Sequence, residues 1–268
     1  MTDNYKLYRK AWRYEGAPHE EQQLDERQWK ALLDQGGLLV RNTYGFDQPD
    51  KSNFWFIIKD DFADEKDLNT RDRNKVRHAF ELFDYRIIPH ELLREKGYAI
   101  IRETYDDYPV KDRKMNEAIF AQYIEERSGE GFEHWGIFAK GTDNLVGYGI
   151  VHCWEDCCEL GATGILTTYK HNGSYPYYGL YHFWNQHYLQ ERGFRYVSDS
   201  ARTITEHSQI QDFLEQHFGF RKAYCRLEVH YKWWVKCAVK VLYPFRKIIT
   251  MPRIKAILNM EAMQRGEK

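Results

Sequence analysis

Between His134 and Tyr231 the apolar pattern runs strand, strand, strand, helix, strand, helix, strand, and few folds accept that order. His134 to Lys140 and Leu145 to Trp154 alternate as strands around a turn at Thr142-Asp143-Asn144, and Asp156 sits in the next turn. A third strand is predicted from Cys158 to Thr168. A loop and a helix from about Tyr175 to Arg192 follow, stopped by Gly193. Then come a strand at Phe194 to Ser198, a helix from Ser208 to Phe218, and a long strand from Phe220 to Lys232. Three meandering strands followed by helix-linked ones make a mixed sheet, so the expected class is α+β.

The first half carries a helix at about Glu26 to Gln35, with Trp29, Leu32 and Leu33 on one face, and strands at Leu38 to Tyr44 and Asn53 to Lys59. A charged helix is predicted from Lys66 to Phe83, and further helices from His90 to Tyr108 and from Lys114 to Arg127. The tail, Trp233 to Arg265, forms two helices broken near Thr250-Met251-Pro252. No repeat or Pro/Gly/Ser-rich linker interrupts the chain. The expected organisation is one catalytic-size domain over residues 1–232 with a basic helical tail over 233–268.

With 43% apolar residues in 268, the chain can bury a core without disulfide or metal staples. Its cysteines, Cys153, Cys157, Cys158, Cys225 and Cys237, are odd in number and share no spacing, which fits a reducing compartment. The polar start MTDNYKLYRK is unlike a signal peptide, and no apolar run reaches bilayer length, so a cytoplasmic location is expected. A net charge of −1 hides a polarity: bases crowd from Arg221 to Lys255, where Glu228 is the one acid.

Within the strand–helix order, Lys170-His171-Asn172-Gly173-Ser174-Tyr175 follows the strand Glu159 to Thr168, and Phe218-Gly219-Phe220 ends the later helix. This punctuation resembles the GNAT superfamily of acyl-CoA N-acyltransferases, over about Trp135 to Tyr231. The family's central strand ends in a loop of the form Arg/Gln-x-x-Gly-x-Gly/Ala that opens a helix. The loop's physics stands by itself: a helix N-terminus offers unpaired N–H groups and a partial positive charge. Gly173 allows close approach, Ser174 is expected to cap, and Pro176 suits the first turn. The resemblance implies acetyl-CoA as co-substrate. Its diphosphate would lie on Lys170, Asn172, Gly173, Ser174 and Tyr175, and its pantetheine amides on the free strand edge at Leu166 and Thr168. A splay against Tyr196 to Ser198 would admit it. Two departures stand out. Tyr175 occupies the second small position, and the family's thiolate-protonating Tyr aligns with Leu214. A weaker similarity, at Asn69 to Phe80 and at Gln211 to Gly219, is to Fem-type and related polysaccharide-linked acyltransferases, which act on envelope precursors.

Amine acylation needs a base, and Glu159 stands where many family members carry a Glu; the plain alternative is a charge at a sheet edge. Glu155 and Asp156 are turn residues. His152, Cys153, Cys157 and Cys158 lack a second ligand pair, so thiols rather than a metal site are expected; no metal is called for. Asp199, Ser200, Arg202 and His207 follow the fifth strand, where Arg202 is a candidate for binding a CoA phosphate or an acidic acceptor and Ser208 a helix cap. Tyr177, Tyr181, Trp184 and Tyr188 at helical spacing make a core face. In the tail, Trp233-Trp234 with Lys236 and Lys240 suits an anionic membrane surface, against the alternative that the apolar side packs on the domain.

The expected function is therefore direct acyl transfer, with acetyl the expected group, from coenzyme A to an amine of a small molecule or envelope sugar. Two alternatives stand beside it: a non-catalytic ligand-binding module of the same fold, and a Fem-like transferase using aminoacyl-tRNA.

Overall fold

The computed structural model describes residues 4–21, 23–106, 116–204 and 209–267. The chain forms two compact units. One gathers the chain up to Ile57 with the segments that begin at Ala201 and Arg221; the other runs from Ile58 to Ser200 and takes in Ile210–Phe220. Each has a mixed sheet flanked by helices. Among the described residues no helix is long and apolar enough to cross a membrane.

In the first unit, β1 (Tyr5–Tyr8) and β2 (Ala11–Tyr14) form an antiparallel hairpin. Its turn residues Arg9 and Lys10 both have positive φ, 50° and 71°. Such a pair makes the tight primed turn that matches strand twist, usually with Asn or Gly. Helix α1 (Glu26–Asp34) starts at a capping box between Asp25 and Gln28 and lays Leu32 and Leu33 on Tyr5 and Val40. Next come β3 (Leu39–Tyr44) and β4 (Phe54–Lys59), which crosses into the second unit by its last residues.

The second unit opens with α2 (Thr70–Leu82), capped by Asn69, whose side chain accepts from the Asp72 amide at 3.0 Å. Phe83 then caps this helix and starts β5 (Phe83–Ile88) with no intervening residue, so the expected helix ends one residue early and a strand stands where none is predicted. Helices α3 (His90–Asp106) and α4 (Glu117–Glu125) precede β6 (Phe132–Ala139), β7 (Leu145–Cys153) and β8 (Cys157–Ile165). The start expected for α4 at Lys114 lies outside the described residues. A one-turn helix α5 (Thr167–Lys170), then α6 (Pro176–Asn185) with a π-helical extension to Glu191, lead to β9 (Tyr196–Ala201) and α7 (Gln209–Phe218), after which the chain returns to the first unit with β10 (Arg221–Tyr231). The tail is α8 (Trp233–Leu242) and α9 (Pro252–Gln264).

The expected meander of β6, β7 and β8 is present and is extended by the unpredicted β5, all pairing antiparallel in turn, while β9 adds parallel to β8. In this unit the strand order is β9-β8-β7-β6-β5; in the other it is β1-β2-β3-β10-β4. On one face of the first of these sheets, Ile88, Phe138, Tyr148 and Ile150 pack against Leu93 and Ile100 of α3 and Phe120 and Ile124 of α4. The other face takes α6. There Gly149 lets Trp184 lie on the sheet, since a Cβ would fall 2.3 Å from its ring. Tyr181, Trp184 and Tyr188 are core, as the helical spacing predicts, whereas Tyr177 at the head of that face is only half-buried.

Candidate functional site

The site is built where β8 leaves its neighbour. The parallel pairing of β8 with β9 runs Cys157↔Tyr196, Cys158↔Val197, Glu159↔Ser198, and β8 then continues to Ile165. On its other side β8 pairs with β7, but the register slips between Val151↔Leu160 and Gly149↔Thr163. The slip places an extra residue of β8, at Gly161-Ala162, opposite Ile150, and a Cβ at Gly161 would stand 2.9 Å from the Ile150 carbonyl.

That bulge sorts the side chains. Gly149 and Val151 lie on the face covered by α6, so their partners Leu160 and Thr163 do too. The Tyr181 hydroxyl, on α6, is hydrogen-bonded to the Thr163 side chain. Glu159 alternates to the opposite face with Ser198, and is half-buried. Asp199, next to Ser198, turns back to the α6 side. Burial first and the charge of Glu159 second push the Asp199 carboxyl well above its ordinary range. The Asp199 carbonyl accepts from Gln211 Nε2 at 3.1 Å, and Ser200 follows with a strained positive φ of 64°.

Past Ile165 the chain departs from the sequence expectation. Leu166 and Thr168 are not on a strand edge. Leu166 caps α5, its amide donating to the Val146 carbonyl at 2.9 Å, and Thr168 lies within that helix. The strand edge beyond the last β9 partner is therefore Leu160 to Ile165. In the following turn, Gly173 has φ 81° and a Cβ there would meet nothing within 4 Å. Ser174 does not cap α6: its hydroxyl donates back to the Tyr169 carbonyl at 2.8 Å, and its amide donates to Asn172 Oδ1 at 3.0 Å. The N-cap of α6 is Tyr175, left-handed at φ 53° and ψ 44°, with no side-chain cap bond. The turn is thus open at Gly173 and closed at Ser174. Lys170 ends α5 beside it.

Beside the start of α6 lies a polar network absent from the sequence reading. Asp72, 1% exposed, accepts from Lys75 Nζ at 2.9 Å and pairs with His217 Nδ1 at 2.8 Å. Lys75 also donates to the Tyr178 hydroxyl at 2.7 Å, with its ammonium 5.7 Å from the Tyr175 ring centre. Burial pushes the Asp72 carboxyl up, but the bonds from His217, Lys75 and Asn69 outweigh it and hold it below the ordinary range. The hint was present in an acid set among the bases Arg71, Arg73 and Lys75, but nothing in the sequence points to His217 as its partner.

The other candidates are placed as follows. Leu214 is fully buried core and has no proton to give. Arg202, in the first unit, donates to the Asn53 carbonyl at 2.5 Å and covers the Trp55 ring at 4.3 Å. Cys153 and Cys158 stand opposite each other with their thiols hydrogen-bonded, while His152 stacks on Phe132 at 4.2 Å. His207 and Ser208 lie outside the described residues.

No family model matches the sequence, and no curated protein matches it. The solved structures that match include a functionally unknown conserved protein from Staphylococcus epidermidis, 11% identical, covering 82% of this chain and 83% of that one at a TM-score of 0.43. FemX is 10% identical, over 74% of this chain and 65% of its own, at a TM-score of 0.47. The aminoglycoside N-acetyltransferase AAC(6')-Iy, solved in complex with CoA, is 14% identical over 53% and 90%, at 0.36. GNAT acetyltransferases and FemX thus stand among the structural neighbours. At these scores the likenesses decide neither donor nor acceptor.

Proposed function

We propose that this chain is an acyltransferase of the GNAT type. More particularly, it would move an acyl group, acetyl in the simplest case, from coenzyme A to an amine of a small molecule or envelope sugar by direct attack. The observation that carries this reading is the parting of β8 from β9 after Glu159↔Ser198, with β8 running on to an open glycine turn and an uncapped helix start. An extended, amide-bearing pantetheine matches a strand edge, and a diphosphate matches the turn at a helix N-terminus.

In this reading the donor's diphosphate sits on Gly173, with Lys170, Asn172, Ser174 and Tyr175 around it, and its arm follows Leu160 to Ile165 towards Glu159. Leu166 and Thr168 would act only where the arm meets the turn. Glu159 takes the proton from the attacking amine, directly or through water. The nitrogen bonds to the thioester carbonyl carbon, the tetrahedral adduct collapses, and the C–S bond breaks. The departing thiolate takes a proton from Asp199, whose buried carboxyl replaces the acid that Leu214 cannot supply. No acyl-enzyme forms.

The test is calorimetric titration with CoA and acetyl-CoA, followed by thiol release across an amine panel. Binding with turnover supports the proposal; no binding at millimolar CoA sinks it. A second reading, a ligand-binding module without catalysis, is favoured by Asn172 sealing the Ser174 amide and by Tyr175 in the small position. CoA binding without turnover over the whole panel would select it.

A further inference from the structure

The tail presents an apolar face to solvent. In α8, Val235 and Val239 point inward, and Tyr243 beyond them is buried. The sequence left open whether the apolar side of this helix packs on the domain. It has two apolar sides, and only one packs. Trp233 is 78% exposed, Val241 67%, and Ile248 74%, with Trp234, Phe245 and Met251 also in water. Single exposed apolar residues are ordinary, but six in one short segment, two of them Trp, form a patch that calls for a partner.

Charge identifies the partner's chemistry. From Glu228 to Glu261 the chain holds no acid, while Lys232, Lys236, Lys240, Lys247, Arg253 and Lys255 are distributed along it. On the helical wheel Lys236 and Lys240 flank the stripe made by Trp233, Cys237 and Val241. The segment is also fastened at both ends to its own unit. Tyr243 is buried on one side, and on the other α9 buries Leu258 while the Tyr231 hydroxyl donates to Glu261 at 2.9 Å. A rigid ridge with Trp at its crest and bases on its flank has the layout of a surface-lying membrane anchor.

We infer that the ridge from Trp233 to Met251 docks on a lipid bilayer rich in anionic headgroups, with Trp233, Trp234, Val241, Phe245, Ile248 and Met251 entering the headgroup–acyl boundary and the lysines facing lipid phosphates. Protein and nucleic-acid partners fit less well. A basic nucleic-acid face needs no crest of exposed aliphatic residues, and a hydrophobic protein interface is ordinarily depleted of lysine. This surface is independent of the acyl-transfer reading, because it uses none of the residues assigned there.

The experiment is co-sedimentation of the full chain with vesicles of phosphatidylcholine alone or with about one-third phosphatidylglycerol. Binding is expected to the mixed vesicles and to fall with added salt, since each base near the surface contributes roughly fivefold. The double variants Trp233→Ala with Ile248→Ala, and Lys236→Glu with Lys240→Glu, should each lose at least about tenfold in partition while keeping the parent Tm, as all four side chains are exposed. Should either pair unfold, the single variants Ile248→Ser and Lys240→Glu give the same readout. No binding to anionic vesicles would overturn the inference, as would binding indifferent to both variant pairs. So would retention of tRNA by a chain that ignores vesicles, or a dimer in analytical ultracentrifugation that Trp233→Ala dissolves.

Discussion

Gly173→Ala separates backbone strain from ligand contact. Gly173 has φ 81°, where an L-residue pays about 1–2 kcal/mol, and the added methyl would meet no protein atom within 4 Å. The structure supplies its own control. Gly193 has φ 67° and is equally open, yet it lies after the π-helical end of α6, away from the turn. Both substitutions should therefore cost the same strain, lowering Tm by about 2–8 °C. They should differ in ligand affinity. A methyl projecting from residue 173 occupies the space assigned to the diphosphate, so CoA affinity should fall at least about tenfold, or roughly 1.4 kcal/mol. Gly193→Ala should leave it unchanged. Scanning fluorimetry without ligand checks the first expectation and calorimetric CoA titration the second. Equal CoA affinities in two variants of equal stability would mean that no diphosphate rests on this turn.

Glu159→Gln should cut turnover by about 10²–10⁴-fold while CoA affinity holds, measured by thiol release and calorimetry. Asp72→Ala strips the partner from Lys75 and His217 inside a buried network and should cost about 3–5 kcal/mol in urea unfolding. Because the folded Asp72 pKa is depressed, its stabilisation is present above the ordinary carboxylate range and disappears as pH falls through the lowered value. His134 acts in the same direction: burial first and His90 second lower its pKa to about 4, and its Nε2 has no partner. Between pH 6.5 and about 4 the unfolded chain binds the proton more readily, so stability should fall by about 3 kcal/mol as pH drops through that window. His134→Phe should flatten that limb in pH-resolved unfolding.

The second half was legible because its signals are local. Thr142-Asp143-Asn144 and Gly193 punctuate it, and β6 and β7 alternate or run apolar as strands must. The failures have equally specific causes. Strand β5 begins on the residue that caps α2, so no Gly or Pro marks the change, and its assignment rests on pairing with β6 far along the chain. The β1–β2 hairpin turns at Arg9-Lys10, residues that give no sign of a left-handed pair. At the site, the glycine turn and the helix start were readable from residue types. Which amides stay open was not, because the Ser174 hydroxyl donates to the Tyr169 carbonyl instead of accepting from the helix, and its amide donates to Asn172 Oδ1. The Asp72–His217 pair joins residues 145 apart and leaves no local trace.

In the proposed reaction the two carboxyls come from neighbouring strands, Glu159 from β8 and Asp199 from β9, and the bulge at Gly161-Ala162 sets which β8 side chains beyond Glu159 face α6. In an unbroken strand, Glu159 and Thr163 would share a face, and both would turn away from α6. With one extra residue between them, Glu159 keeps its face with Ser198 while Thr163 turns to Tyr181 on the other. Asp199 lies on that second side by the alternation of β9, so the two carboxyls approach the parting of the strands from opposite faces. Their environments then differ by construction. Desolvation first and the nearby charge of Glu159 second raise the Asp199 carboxyl well above its ordinary range, while its backbone carbonyl accepts from Gln211 of α7. Two carboxyls on one face would compete for a single proton in one environment; two on opposite faces of a gap can hold opposite roles across a ligand that fills it.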